Sequence, residues 1–476
     1  MQQRSTTVAV YAATAAFAAA GLAYIFGPSI FPDDSGYRNA RAGGAVGLSN
    51  PANDCFINSV LQALAGVGGL SVYLSELERP QSLIEDAEKT NGEEIAQEEK
   101  DGQVPLLPDN ITVVSSATKS MLDELNEPAL YRKTISARGF ISTLEKVFGG
   151  HLSRRQQDAQ EFLQIVLEKL EDENAAARKY LSASSSVASG AEEERPHHLS
   201  TFPVTGTLSS QIECLRCHYQ PTASKSTFLT LTLNVPYGKS STTLDTCLDG
   251  LLKVETIEGY KCARCLAVSS LQKEQSVLAR TPASSSAYEY VAKSIANLEE
   301  MLGDPVTPAL EARLSDFADK SAGTSTNLPS IQKHVSVSSF PQVLAIHLSR
   351  SVFDPSNFST KNTAKVEFHE TLVLGSMSEK RRTYRLSTMI THKGGHNSGH
   401  YETYRRQTER EKTMEGHESQ QEDIVSEKLR DVKSKKKNKP HDKWWRISDD
   451  KVSNCRTKDM LSMKREVYLL FYELEK

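Results

Sequence analysis

Two C-x-x-C motifs, Cys214–Cys217 and Cys262–Cys265, constrain this fold more than any other feature of the sequence. Each can form a knuckle whose sulfurs converge at metal–sulfur distances of about 2.3 Å, and two knuckles complete a tetrahedron. A disulfide-exchanging dithiol normally needs one pair at a helix start. Two pairs favour a metal instead, and the reading is structural Zn2+, because four ligands leave no position open for chemistry. His218 adjoins Cys217 and reads as a bystander. The 44 residues between the motifs exceed a compact zinc ribbon, so strands must bring the knuckles together. TFLTLTLNV lies between them and alternates as a half-buried strand should.

Cys55, Cys247 and Cys455 stand alone, making seven cysteines in 476 residues. An odd, partly clustered set reads as metal ligands plus free thiols in a reducing compartment, not as a disulfide framework. A net charge of −4 gives no sign of a nucleic-acid partner. With 38% hydrophobic and 24% charged residues, the chain suits one large or two medium globular domains.

The amino terminus departs from that picture. No charge occurs from Ser5 to Pro32, and residues 6–26 are almost wholly apolar. As a helix those residues would span about 31 Å, close to the ~30 Å of a bilayer core. A cleaved signal peptide and a buried core helix compete with an uncleaved transmembrane anchor, and the anchor is the reading adopted. Residues 27–42 then form a Gly/Pro/Asp-rich linker, and the globular domain runs over 43–475. Arg4 on one side faces Arg38 and Arg41 on the other, so charge leaves the orientation undecided.

Four stretches inside the domain read as surface insertions: 83–102 (acidic), 174–198 (Ser- and Glu-rich), 280–327 (Ser/Ala-rich with helix-like patches) and 407–442 (charged, with KSKKKNKPHDK). Each is expected to be a mobile loop or a loop with a small helix. Between them, Phe56, Val60, Leu61 and Leu64 mark one helix, and Phe162, Leu163, Val166, Leu167 and Leu170 mark a second. FPQVLAIHLSR and EVYLLFYEL read as buried strands. Helices come early and strands late, which predicts an α+β fold.

GLSNPANDCFINSVLQAL puts Cys55 at a helix start, where unpaired N–H groups and the helix dipole stabilise a thiolate. Alone, that context equally suits a small buried hydrophobe. Far downstream, THKGGHNSGHYETY threads His392, His396 and His400 between glycines. At that spacing a helix would align three metal ligands, but Gly394, Gly395 and Gly399 argue against a helix. A base that takes the thiol proton near neutral pH is the better account.

These segments resemble the ubiquitin-specific proteases: the first their cysteine box, HNSGHYETY with WWRISDDKV their histidine box. QQDAQEFL, FPQVLAIHLSR and YLLFYEL look like further family signatures in family order. The resemblance implies a papain-like thumb, palm and fingers fold that hydrolyses the bond after the carboxyl-terminal glycine of ubiquitin. It makes Cys55 the nucleophile, His400 the base and Asn50 an oxyanion donor, and it agrees with four zinc-binding cysteines at the finger tip. Ala52 and Asp54 depart from the family pattern; Asp54 is expected to cap the helix through a backbone N–H. Ser448 stands where the family commonly has Asp or Asn, with Asp449 following. A serine can accept the imidazole N–H bond but brings no charge, so either Ser448 or Asp449 orients His400. Ser448→Ala is expected to lower turnover more than Asp449→Ala.

Serine at that position plus an N-terminal anchor resembles the family's mitochondrial outer-membrane member. The implied protein is a membrane-tethered deubiquitinase facing the cytosol, with ubiquitin and ubiquitinated proteins as partners; an endoplasmic-reticulum anchor is the other location. Two further readings are an anchored ubiquitin-binding scaffold with weakened catalysis and a secreted papain-like peptidase.

Overall fold

A computed structural model describes residues 45–77, 110–127, 133–151, 157–187, 199–303, 307–320, 328–352, 360–375, 381–395, 399–407 and 443–475. Residues 6–26 and 27–42, insertion 83–102 and all of 407–442 except Gln407 lie outside the described residues, as does His396.

Helix Cys55–Ala65 is buried along its whole length, so it packs on several sides and not along one stripe. It stops at Gly66, where a Cβ would sit 2.3 Å from Thr388 and 2.4 Å from Arg405. Only glycine lets the helix end come so close to the sheet. Phe56 meets Phe162 edge to face at 5.8 Å, joining this helix to the long helix Ala159–Val187. The long helix also completes a neighbour. Glu173, buried, accepts from the N–H groups of Val114 (2.9 Å) and Ser115 (2.8 Å) at the start of helix Val113–Asn126. A carboxylate there satisfies orphan donors and the positive helix end together.

Among the described residues, eight strands form the palm sheet. Seven run in the order Lys451–Arg456, Lys443–Ser448, Gly399–Arg406, Arg382–Gly394, Val467–Leu474, Val343–Ser349, Thr230–Asn234; Thr371–Leu374 also pairs with Arg382–Gly394. The central strands serve two cores through their period of two. Ala345, Leu469 and Phe471 face the helical thumb. Leu344, Ile346, Leu470 and Tyr472 face a second core under helix Leu244–Leu252. The α+β expectation agrees with this arrangement.

Among the described residues, the fingers are a four-stranded sheet, Ser224–Phe228, Gly206–Cys214, Ile331–Ser339, Glu255–Ile257. Here the strand reading needs a correction. Thr230–Asn234 alternates as expected but pairs in parallel with Val343–Ser349 in the palm. The knuckles are joined instead by Gly206–Cys214 and Glu255–Ile257, both paired to Ile331–Ser339.

Two insertions also differ from expectation. Helix Ala159–Val187 runs on through the start of 174–198, because Asn174 is buried and donates to Tyr73 Oη (2.9 Å) and Ser200 O (3.0 Å). The 280–327 stretch holds two full helices, Ser286–Met301 and Pro308–Lys320. Leu298, Met301 and Leu314 bury against Cys214, Cys262 and Ala267, which gives this stretch a core of its own. Among the described residues no single helix is long and apolar enough to cross a membrane.

Candidate active site

The site lies where helix Cys55–Ala65 meets strand Gly399–Arg406. Thr403 Oγ1 donates to Ser59 O at 2.8 Å and fixes the strand on the helix. Cys55 is the first helical residue and is buried. Burial raises its thiol pKa most; the backbone N–H groups of Tyr401, Phe56 and Cys55 lower it and the Asp449 charge raises it further, so the net shift is upward. The helix start therefore does not by itself yield a thiolate.

His400 stands opposite Lys393 in the hairpin of strands Arg382–Gly394 and Gly399–Arg406. Its Nε2 lies 2.7 Å from Ser448 Oγ and 4.0 Å from Asp449 Oδ2. With Nε2–H donated to the serine, Nδ1 keeps the lone pair that can accept a thiol proton. His392 sits on the adjacent strand, paired with Tyr401, so His392 and His400 are not aligned on a helix.

Asp449 is engaged elsewhere. It accepts from Asn50 Nδ2 through Oδ2 (3.0 Å) and from Asn58 Nδ2 through Oδ1 (2.8 Å). Its φ of 53° lies in the left-handed region, uncommon for a non-glycine residue. The turn is pressed against the segment before the cysteine: Leu48 N–H donates to Asp449 O (2.9 Å), and a Cβ on Gly47 would come within 2.9 Å of Asp450. Asn50 is held at both ends, since its Oδ1 accepts the Asp54 N–H at 3.0 Å. That bond corrects the expected role of Asp54, whose side chain makes no capping bond although the residue occupies the N-cap. Sequence reasoning missed Asn58, although one amide three residues after Cys55 in an apolar helix was a visible signal.

At the finger tip the four cysteines converge, all sulfurs lying within 4.8 Å of one another. Cys214–Cys265 and Cys217–Cys262 sulfurs are each 3.7 Å apart. Tetrahedral bonds of about 2.3 Å to one ion place sulfurs about 3.8 Å apart, so the cage is of a size to hold a metal such as zinc. Cys262 is the N-cap of helix Ala263–Leu278, and Cys265 lies in its first turn. His218, at φ 53°, turns its ring to Glu213 (2.9 Å).

The family described as ubiquitin carboxyl-terminal hydrolase matches residues 46–472. Ubiquitin carboxyl-terminal hydrolase 16 of Emericella nidulans is 32% identical, with 100% of each chain covered. The Saccharomyces cerevisiae protein of the same name is 26% identical over 90% of this chain and 89% of its own. The structure of yeast SAGA DUBm with an Sgf73 mutant is similar in fold, with a TM-score of 0.52 at 18% identity over 92% of this chain and 70% of that one. The family match spans the cysteine helix, the fingers and the histidine strands together, and the chain belongs to the ubiquitin carboxyl-terminal hydrolases of the ubiquitin-specific protease type, a deubiquitinating cysteine peptidase.

Proposed function

We propose that Cys55 is the nucleophile of this peptidase, His400 its base, Ser448 the residue that orients His400, and Asn50 the oxyanion donor. One observation carries the reading. His400 Nε2 is bonded to Ser448 Oγ at 2.7 Å on the strand that Thr403 Oγ1, donating to Ser59 O at 2.8 Å, fixes to the helix begun by Cys55. Ubiquitin and ubiquitinated proteins are the proposed partners.

In the reaction, His400 Nδ1 takes the thiol proton as the sulfur attacks the carbonyl of ubiquitin's terminal glycine. The proton then passes to the leaving amine, and a water repeats the sequence on the thioester. Asp449 holds Asn50 so that its remaining Nδ2 hydrogen can meet the oxyanion. The cage of Cys214, Cys217, Cys262 and Cys265 is proposed to hold zinc, whose role is to fix the knuckles. A ubiquitin probe with an electrophilic carboxyl terminus should form an adduct that Cys55→Ala abolishes; an adduct on the variant would remove the assignment. Release of ubiquitin from an amide-linked reporter by pure protein excludes the scaffold reading.

The membrane tether is a further part of the proposal and is supported by the uncharged run through residues 6–26. The mitochondrial outer membrane is the favoured location over the endoplasmic reticulum, with the catalytic domain in the cytosol. Imaging the tagged chain with and without its first 32 residues tests this. Unchanged distribution on truncation would refute it.

A further inference from the structure

Lys361 does not belong to the constellation just described, yet its three donors converge beneath the hairpin that carries His400. An ammonium has three N–H groups and no acceptor. Lys361 Nζ meets three neutral acceptors: His392 O at 2.8 Å, Gly394 O at 3.2 Å and His392 Nδ1 at 3.2 Å. All three hydrogens are thereby used. Because the ammonium can only donate, His392 Nδ1 must carry a lone pair, and a neutral His392 then bears its proton on Nε2.

The His392 ring touches both chain neighbours of His400. It stacks on Tyr401 at 4.4 Å and 16° between planes. Its Nε2 lies where a Cβ on Gly399 would be 2.3 Å away, so that residue must be glycine. Residues 399 and 401 both pack on one imidazole, and residue 400 lies between them.

The platform beneath is tied together by one buried guanidinium. Arg350 is buried and its guanidinium donates to Asn362 O (3.1 Å), Ala364 O (2.7 Å), Lys464 O (3.2 Å) and Val467 O (3.0 Å). Asn362 donates in turn to Val235 O at 3.0 Å. Lys361 thus extends from a segment tied into the palm core.

We infer that Lys361 is a positioning residue for the catalytic base. By bonding two carbonyls of the histidine hairpin and fixing the His392 ring, it sets the place of His400 relative to Cys55. The inference rests on the proposed roles of those two residues. Misplacement of a base by about 1 Å can cost on the order of 100-fold in rate.

The test reads the pH dependence of Cys55 alkylation by iodoacetamide, followed on the Cys55 peptide by mass spectrometry. This reaction bypasses ubiquitin binding. His400→Ala should move the alkylation limb to higher pH. Lys361→Met and His392→Phe should each move it in the same direction, with kcat lowered about 10- to 100-fold and KM for a ubiquitin substrate little changed. Lys361→Arg should restore part of the loss. If His400→Ala leaves the limb in place, the assignment of the base fails. If His400→Ala moves it but Lys361→Met does not, the inference on Lys361 alone is overturned. Lys361→Gln, with two donors retained, replaces Lys361→Met should that variant not fold, and is read by the same criterion.

Discussion

At the junction of helix Cys55–Ala65 with the palm, distant segments are joined by hydrogen bonds among Asn50, Asn58, Asp449, Ser448 and His400. At the finger tip, distant segments are joined by four sulfurs within 4.8 Å. Both are junctions between remote stretches, but their supports differ. Behind the palm junction lies a large two-sided core. Behind the finger tip lies a small cluster that includes two of the cysteines themselves, Cys214 and Cys262. The palm can lose one bond and stay folded, whereas the fingers would depend on the metal proposed for the cysteine cage.

Metal removal tests that contrast most severely. Structural zinc in small domains contributes roughly 10–16 kcal/mol of apparent binding energy. Chelation, or Cys262→Ser, should unfold the knuckles together with helices Ala263–Leu278, Ser286–Met301 and Pro308–Lys320. The third helix is included because Glu311 accepts from Thr222 N–H at 2.7 Å, in the loop after the first knuckle. Hydrogen exchange should show those helices losing protection while strands Val343–Ser349 and Val467–Leu474 keep theirs. Retained protection at the finger tip would end the comparison.

Substitutions at the palm junction should reduce activity without unfolding the domain. Asp449→Ala frees both Asn50 and Asn58. Losing a positioned oxyanion donor typically costs about 2.7–4 kcal/mol, so kcat/KM should fall about 100- to 1,000-fold. Ser448→Ala removes one bond between neutral groups, worth about 0.5–1.5 kcal/mol, and should lower kcat/KM by roughly tenfold or less. This order reverses the one the sequence suggests, because position relative to the family pattern does not disclose what Asp449 bonds. Greater loss in Ser448→Ala than in Asp449→Ala would restore the original order.

Much of this architecture was readable in residue patterns. Thr230–Asn234 alternates, Val467–Leu474 is apolar, and the paired cysteines stand at metal-binding spacing. What was not readable depends on which partner a pattern meets. Alternation identified Thr230–Asn234 as a strand, but a strand's own residues do not say which of two sheets it joins. The Ser/Ala-rich composition of 280–327, with its helix-like patches, suggested a mobile loop or a loop with a small helix, yet Leu298, Met301 and Leu314 needed only the cysteine knuckles beside them to form a core. Asn58 acquires meaning only when it meets Asp449, 391 positions on, and Lys361 and His392 only when the chain between them folds back to bring them together. Asp54 misled for a related reason: the N-cap position was correct, but the Asn50 side chain accepts the Asp54 N–H instead.

Asp449 also allows the two effects at the palm junction to be separated, in a variant of nearly unchanged shape. Its charge raises the Cys55 pKa, so removing that charge in Asp449→Asn should lower it. On the acid side of the titration a larger share of Cys55 is then thiolate, and iodoacetamide should react somewhat faster there than with the parent. Well above the thiol pKa the two rates should coincide. Turnover should nevertheless fall. The new amide offers one acceptor and one donor where the carboxylate offered two acceptors, so either Asn50 or Asn58 confronts an N–H with its own N–H. A thiol that is easier to ionise in an enzyme that is slower would show that Asp449 serves the oxyanion side at the expense of the nucleophile. Alkylation and turnover falling together would mean that it acts on Cys55 through His400, and the division of labour between Ser448 and Asp449 would have to be abandoned.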